Sequence, residues 1–203
     1  HAKVHFLLRT ETVCFHSKKT CREDTIGIGI TLDFALYNSA LIQYVQTSFD
    51  LLSHEAFYDQ GVRTGAWKEA EKPFTNWIPL YINEAHAKLA MPMFEKCMKE
   101  IFRRSTFEPT LALNLLSKLM NTMIVNLMNG ELYASVRALE GYVQCHRLLI
   151  HFIEKYPKLL KHINKTVKNF IEDEKYRLKK VVPSLGDLLP LISVSDYTWE
   201  DIA

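Results

Sequence analysis

Cysteine is scarce, with four in 203 residues, too few for the disulfide-dense scaffold that stabilises many small secreted domains. An excess of one charge is also missing. Lysine and arginine total 25 against 23 aspartates and glutamates, a formal net charge of +2, so the whole molecule projects no strong field toward nucleic acid or an anionic membrane. Any such partner needs a local patch. No apolar run reaches the roughly 18 uncharged residues of a spanning helix, because Asn114, Lys118, Asn121 and Asn126 interrupt the best candidate. No signal peptide is recognised. Catalytic signatures are absent too: the chain holds no paired carboxylates, no Gly-x-Ser-x-Gly elbow and no His-Glu-x-x-His helix, which disfavours an enzyme.

What is present suffices for a sizeable core, since 48% of the residues are hydrophobic. The chain opens at His1-Ala2-Lys3-Val4 without methionine and stops at Trp199-Glu200-Asp201-Ile202-Ala203, where a helical turn is starting, so it reads as a piece of something longer. Cys97 and Cys145 fall inside helical patterns where a small apolar residue would serve, which points to a reducing, intracellular setting, cytoplasmic or nuclear. Asn164-Lys165-Thr166 is a formal glycosylation sequon, but it also falls within a helical pattern.

The first third has strand character. Ile26, Ile28, Ile30 and Leu32 alternate with Gly27, Gly29, Thr31 and Asp33, the period of a half-buried strand, and Leu41 to Thr47 is a second run of β-formers beyond a turn at Tyr37-Asn38-Ser39. Val4 to Leu8 is a candidate third strand, because a lone hairpin is marginal in water. Ser53 should cap a short helix, Glu55 to Gln60, that stops at Gly61. From Val62 to Ile82 the pattern is irregular and aromatic, and predicts a linker packed on the body.

Helices dominate from Asn83. The first should run to Arg104, kinked or split at Pro92; the second from Pro109 to Asn129-Gly130, with a wide apolar face that makes it central. A third spans Leu132 to Lys155, a fourth Pro157 to Lys179, and a short one Leu185 to Ile192; Thr198-x-x-Asp201 resembles a capping box. The expected class is α+β, mainly α: an N-terminal β-hairpin or small antiparallel sheet followed by an irregular bundle of four to six helices. The expected organisation is 1–61 as the hairpin region with its short helix, 62–82 as the aromatic linker and 83–203 as the bundle, together one structural unit.

Several side-chain groups suggest chemistry. Cys14-x-His16-x4-Cys21 offers the thiolates and imidazole that zinc prefers, with His5 as a fourth ligand, but the spacing lacks a Cys-x2-Cys knuckle; a disulfide and ordinary loop residues compete with a metal. Cys145-His146 invites a nucleophile-and-base reading, yet adjacent helical residues point about 100° apart, and Cys145 belongs to an apolar stripe. Gly27-Ile28-Gly29 lacks the third glycine and the following helix of a dinucleotide site, which leaves close packing or a bulge as the reason for the glycines.

Two surfaces remain. Lys158, Lys161, Lys165 and Lys168 recur at helical spacing and form a basic ridge, continued by Lys175, Arg177, Lys179 and Lys180; it would meet an acidic protein or phosphates, or simply be a solvated face. No aromatic residues interleave with it for base stacking, which disfavours nucleic acid. Trp67, Phe74, Trp77 and Tyr81 would line a peptide-binding surface or clamp their loop to the core.

Asp50-Leu51-Leu52-Ser53 with Phe57, Phe74-Thr75-Asn76-Trp77-Ile78-Pro79-Leu80-Tyr81-Ile82-Asn83 and Pro183-Ser184-Leu185-Gly186-Asp187-Leu188-Leu189 together resemble a helical accessory region of large eukaryotic multidomain proteins that carry ubiquitin-conjugating or other ubiquitin-system domains. The resemblance spans most of the chain. It implies an accessory role, since neither Cys97 nor Cys145 sits in the turn-rich loop of a conjugating cysteine. The expected function is therefore a protein-interaction or scaffold module without a cofactor; a zinc- or thiol-dependent enzyme fragment and nucleic-acid binding through the ridge are the alternatives.

Overall fold

The structure, a computed structural model, describes residues 25–32, 45–64, 73–129, 132–182 and 184–202. β1 (Ile26–Leu32) is the central strand of a three-stranded antiparallel sheet, flanked by β2 (Val45–Ser53) and β3 (Asn76–Pro79). Ile28 pairs with Leu51 on one side and Ile78 on the other, which sets one row of aliphatic side chains across the sheet against the helices.

β1 is buried along its whole length, not on one face alone. The opposite face carries the glycines, with Trp77 over Gly27 and Phe74 over Gly29: a Cβ at Gly27 would stand 2.3 Å from the indole, and one at Gly29 2.6 Å from the Phe74 ring. Only glycine lets an indole lie flat across a strand here. Trp77 reaches far enough for its Nε1–H to donate to the Leu52 carbonyl on β2 (2.8 Å).

Within the described residues β2 takes in the last part of the expected run of β-formers, from Val45, and continues past it to Ser53, which caps α1 (His54–Tyr58) by accepting from the Ala56 N–H (3.1 Å). β3 lies inside the stretch expected to be a linker. Pro79 is tolerated there because an edge strand can lose a donor. The segments Val4 to Leu8 and Tyr37 to Tyr44 lie outside the described residues.

α2 (Glu84–Phe102) is capped by Asn83, whose side chain accepts from the His86 N–H (2.8 Å). His86 Nε2 in turn accepts from the Ile26 N–H (2.8 Å), tying the helix start to β1. Pro92 does not split the helix; its side chain is exposed. α3 (Pro109–Asn129) and α4 (Leu132–Lys155) follow, then α5 (Lys158–Glu172), a single 3₁₀ turn (Glu174–Arg177) and α6 (Leu185–Ile192).

α5 ends well short of Lys179. Asp173 is extended, its carboxylate accepts from the Lys175 N–H (3.1 Å), and Arg177 folds back to donate to the Phe170 carbonyl (2.8 Å) and the Ile171 carbonyl. Those bonds satisfy carbonyls that another helical turn would have used. One apolar core runs from Ile26, Ile28 and Ile30 through Leu113, Leu116, Leu119 and Met123 of α3 to Leu148, Leu149 and Phe152 of α4, Ile163 of α5 and Leu188 of α6. α3 is central, in contact with β2, α4, α5 and α6. The architecture is thus α+β and mainly α, a small antiparallel sheet with a helical bundle on one face.

Candidate functional site

α5 divides cleanly by face. Leu159, Ile163 and Val167, spaced four apart, are buried in the core, while Lys158, Lys161, Lys165 and Lys168 are exposed on the outer side. Lys168 pairs with Glu172 one turn on (3.7 Å). Among the described residues no carboxylate pairs with Lys158, Lys161 or Lys165. By helical rise these three span about 10 Å of the axis, close to a Debye length at physiological salt, so they act as one local positive field.

The start of the helix adds to that field. Pro157 supplies no side-chain cap, the first turn holds no acidic residue, and Lys158 opens the helix at the positive end of its dipole. The edge of the face is fixed by Asn164, whose amide oxygen accepts from the Asp196 N–H (3.0 Å) and whose amide nitrogen donates to the Asp196 carboxylate, holding the C-terminal segment against α5. Both polar atoms of the sequon asparagine are thereby engaged.

Beyond Arg177 the chain makes a tight turn, closed by the Val181 N–H on the Leu178 carbonyl (2.8 Å). Leu178 and Val181 are 47% and 45% exposed, next to exposed Lys179 and Lys180. This apolar pair was not legible in the sequence, where both residues fall at or past the end of an expected helix.

The aromatic residues behave differently. Phe74 and Trp77 are buried beneath the sheet, 2% and 1% exposed, so neither is available as a binding surface; they serve as the clamp across Gly27 and Gly29. Tyr81 is half-buried, its ring packed on His151 at 5.0 Å. Trp67 lies outside the described residues, as do Cys14, His16, Cys21 and His5. Among the described residues no group of three or more metal-ligating side chains is assembled.

The thiols are set for packing. Cys145 is fully buried, and burial pushes its thiol up to about 12; a thiol that stays protonated is neither nucleophile nor ligand. His146 is turned to Ser193, its Nε2 3.1 Å from the hydroxyl oxygen. That hydroxyl donates to the Pro190 carbonyl (2.8 Å), so the imidazole is the donor and does not act as a base toward serine. Burial also lowers the His146 pKa, which keeps the ring neutral. Cys97 is raised to about 11 by burial and by the nearby Glu100 carboxylate. Among the described residues no helix is long and apolar enough to cross a membrane.

Comparison with protein-family models, curated proteins and solved structures finds no match to this chain.

Proposed function

We propose that this chain is a non-catalytic protein-interaction or scaffold module of a larger eukaryotic protein, and that the basic face of α5 is its contact surface. The observation that carries the reading is a local rule broken without return. Lysines at helical spacing repel one another, and Lys158 opposes the dipole, yet Lys158, Lys161 and Lys165 gain no ion pair among the described residues. Such uncompensated choices concentrate at functional positions. An acidic partner converts the repulsion into attraction.

The setting is intracellular, cytoplasmic or nuclear, as the free buried thiols Cys97 and Cys145 favour. The resemblance of the Asp50–Phe57, Phe74–Asn83 and Pro183–Leu189 stretches supports a place in the ubiquitin system, as an accessory to a catalytic domain elsewhere in its parent.

The test is affinity capture from a eukaryotic cell extract by this chain and by a Lys158→Glu/Lys161→Glu/Lys165→Glu variant, quantified by mass spectrometry. Circular dichroism confirms that both baits are folded. A reproducible set of proteins held by the parent chain and lost from the variant is the expected result; an identical set on both baits removes the α5 face as the contact surface.

A further inference from the structure

We infer that the partner of this surface is an acidic protein segment carrying apolar anchor residues, and that Leu178 and Val181 receive those anchors. The inference rests on the reading of the α5 face as a contact surface and adds the chemistry of what binds there.

The cationic part is made of lysines on one helix face, from Lys158 to Lys168, about 15 Å along the axis. Lysine ammoniums are point charges that meet carboxylates and phosphates alike; the exposed Leu178 and Val181 beyond the ridge favour a protein segment, which carries apolar side chains beside its carboxylates, over a polyphosphate backbone. Among them stands a single exposed ring, His162, and not the succession of aromatic side chains on which consecutive bases of a single strand stack. An amphipathic helix that lies in a membrane surface puts its apolar stripe into the lipid, whereas the stripe of α5, Leu159, Ile163 and Val167, is buried in the core.

The apolar part stands at the far end of the ridge. Arg177 is bonded to the last carbonyls of α5, so the turn that follows is held at the end of the helix where Lys168 lies. Val181 N–H to Leu178 O closes that turn (2.8 Å), and Val182 N–H also donates to the Leu178 carbonyl (3.0 Å), fixing the two side chains on one loop while Val182 packs inward against the core. Two half-exposed aliphatic side chains flanked by Lys179 and Lys180 form a small anchor site with a basic rim. An acidic segment lying along α5 brings its end residues onto it, and the desolvated anchor supplies affinity that solvent-exposed ion pairs do not.

Fluorescence anisotropy with three labelled synthetic peptides tests the inference. All carry glutamates at helical spacing; one has two leucines at its N-terminus, one at its C-terminus, one has none. A short DNA duplex and phosphatidylserine vesicles are measured beside them. One leucine-bearing peptide should bind about tenfold more tightly than the plain peptide. Leu178→Ser/Val181→Ser should erase that advantage, and the triple lysine reversal should weaken all three peptides by about tenfold or more. If the leucines confer nothing, or their advantage survives the double serine variant, the anchor site is wrong while the α5 contact surface stands. If the lysine reversal leaves peptide binding unchanged, both fall. Tighter binding to the duplex or the vesicles than to any peptide overturns the partner class.

Discussion

Replacing Lys161 with glutamate should make the protein more stable while destroying its contact surface. Lys161 is exposed on α5, with Lys158 three residues before it and Lys165 four residues after. Each like-charged pair at this spacing costs an isolated helix about 0.2–0.5 kcal/mol, and each opposite pair returns a similar amount. Reversing the central charge converts both pairs, and the new carboxylate precedes Lys165 by four residues, the favourable order with the acid nearer the N-terminus. The negative charge also falls near the positive end of a dipole that no acidic residue now complements. At the low end of these ranges, which suits exposed side chains, the contributions total about 1 kcal/mol of stabilisation, equivalent to a rise in Tm of about 2–4 °C for a domain of this size. Thermal unfolding followed by circular dichroism at low ionic strength reads the shift. It should shrink toward zero at about 1 M salt, where the Debye length falls to about 3 Å. An unchanged or lowered Tm at low salt would refute the view of α5 as electrostatically frustrated.

The buried clamp makes the opposite prediction. Trp77→Ala removes a side chain 1% exposed together with the hydrogen bond its indole donates to the Leu52 carbonyl, so it should cost about 3–5 kcal/mol; a loss under about 1 kcal/mol in urea unfolding would contradict the clamp. Cys145 and Cys97 are raised to about 12 and about 11 from an ordinary value of 9.0, chiefly by burial. Their protonated forms persist in the fold where the unfolded chain loses protons, so this contribution is whole below about pH 9 and declines as pH rises toward the folded values. Native thiols should resist alkylation at neutral pH, and urea midpoints should fall from pH 9 upward; a flat profile would count against it. Lys118 and Asp187 pair between α3 and α6 with side chains 19% and 13% exposed. Asp187→Ala strands the ammonium and should cost about 2 kcal/mol, discounted from the fully buried case for remaining solvent; a double-mutant cycle with Lys118→Ala measures the coupling.

Helices were legible because their apolar periodicity is long. Pro109 and Asn129 bound α3 as their residue types imply, and Leu185–Ile192 forms where its apolar run stands. Strands were harder. Ile26 to Leu32 shows its alternation, but the burial of its glycine face depends on Trp77, fifty residues on, which no local window contains. Asn76–Pro79 escaped notice because an edge strand of four residues framed by prolines has the composition of a loop. β2 carries a buried Asp50, and its apolar end adjoins a helix cap, so its residues read as the approach to α1. The lysine ridge was visible as spacing alone. That Lys158, Lys161 and Lys165 face solvent without ion pairs among the described residues depends on which neighbours fold against them, and the Leu178–Val181 turn follows the point where Arg177 doubles back onto α5.

The most direct test of the α5 contact surface is the salt dependence of binding to a partner captured by the parent chain, measured by titration calorimetry for that chain and for Lys158→Glu/Lys161→Glu/Lys165→Glu. The account predicts affinity that falls steadily with added salt for the parent chain, and weak, salt-insensitive binding for the variant. Equal affinities with the same salt response would contradict it.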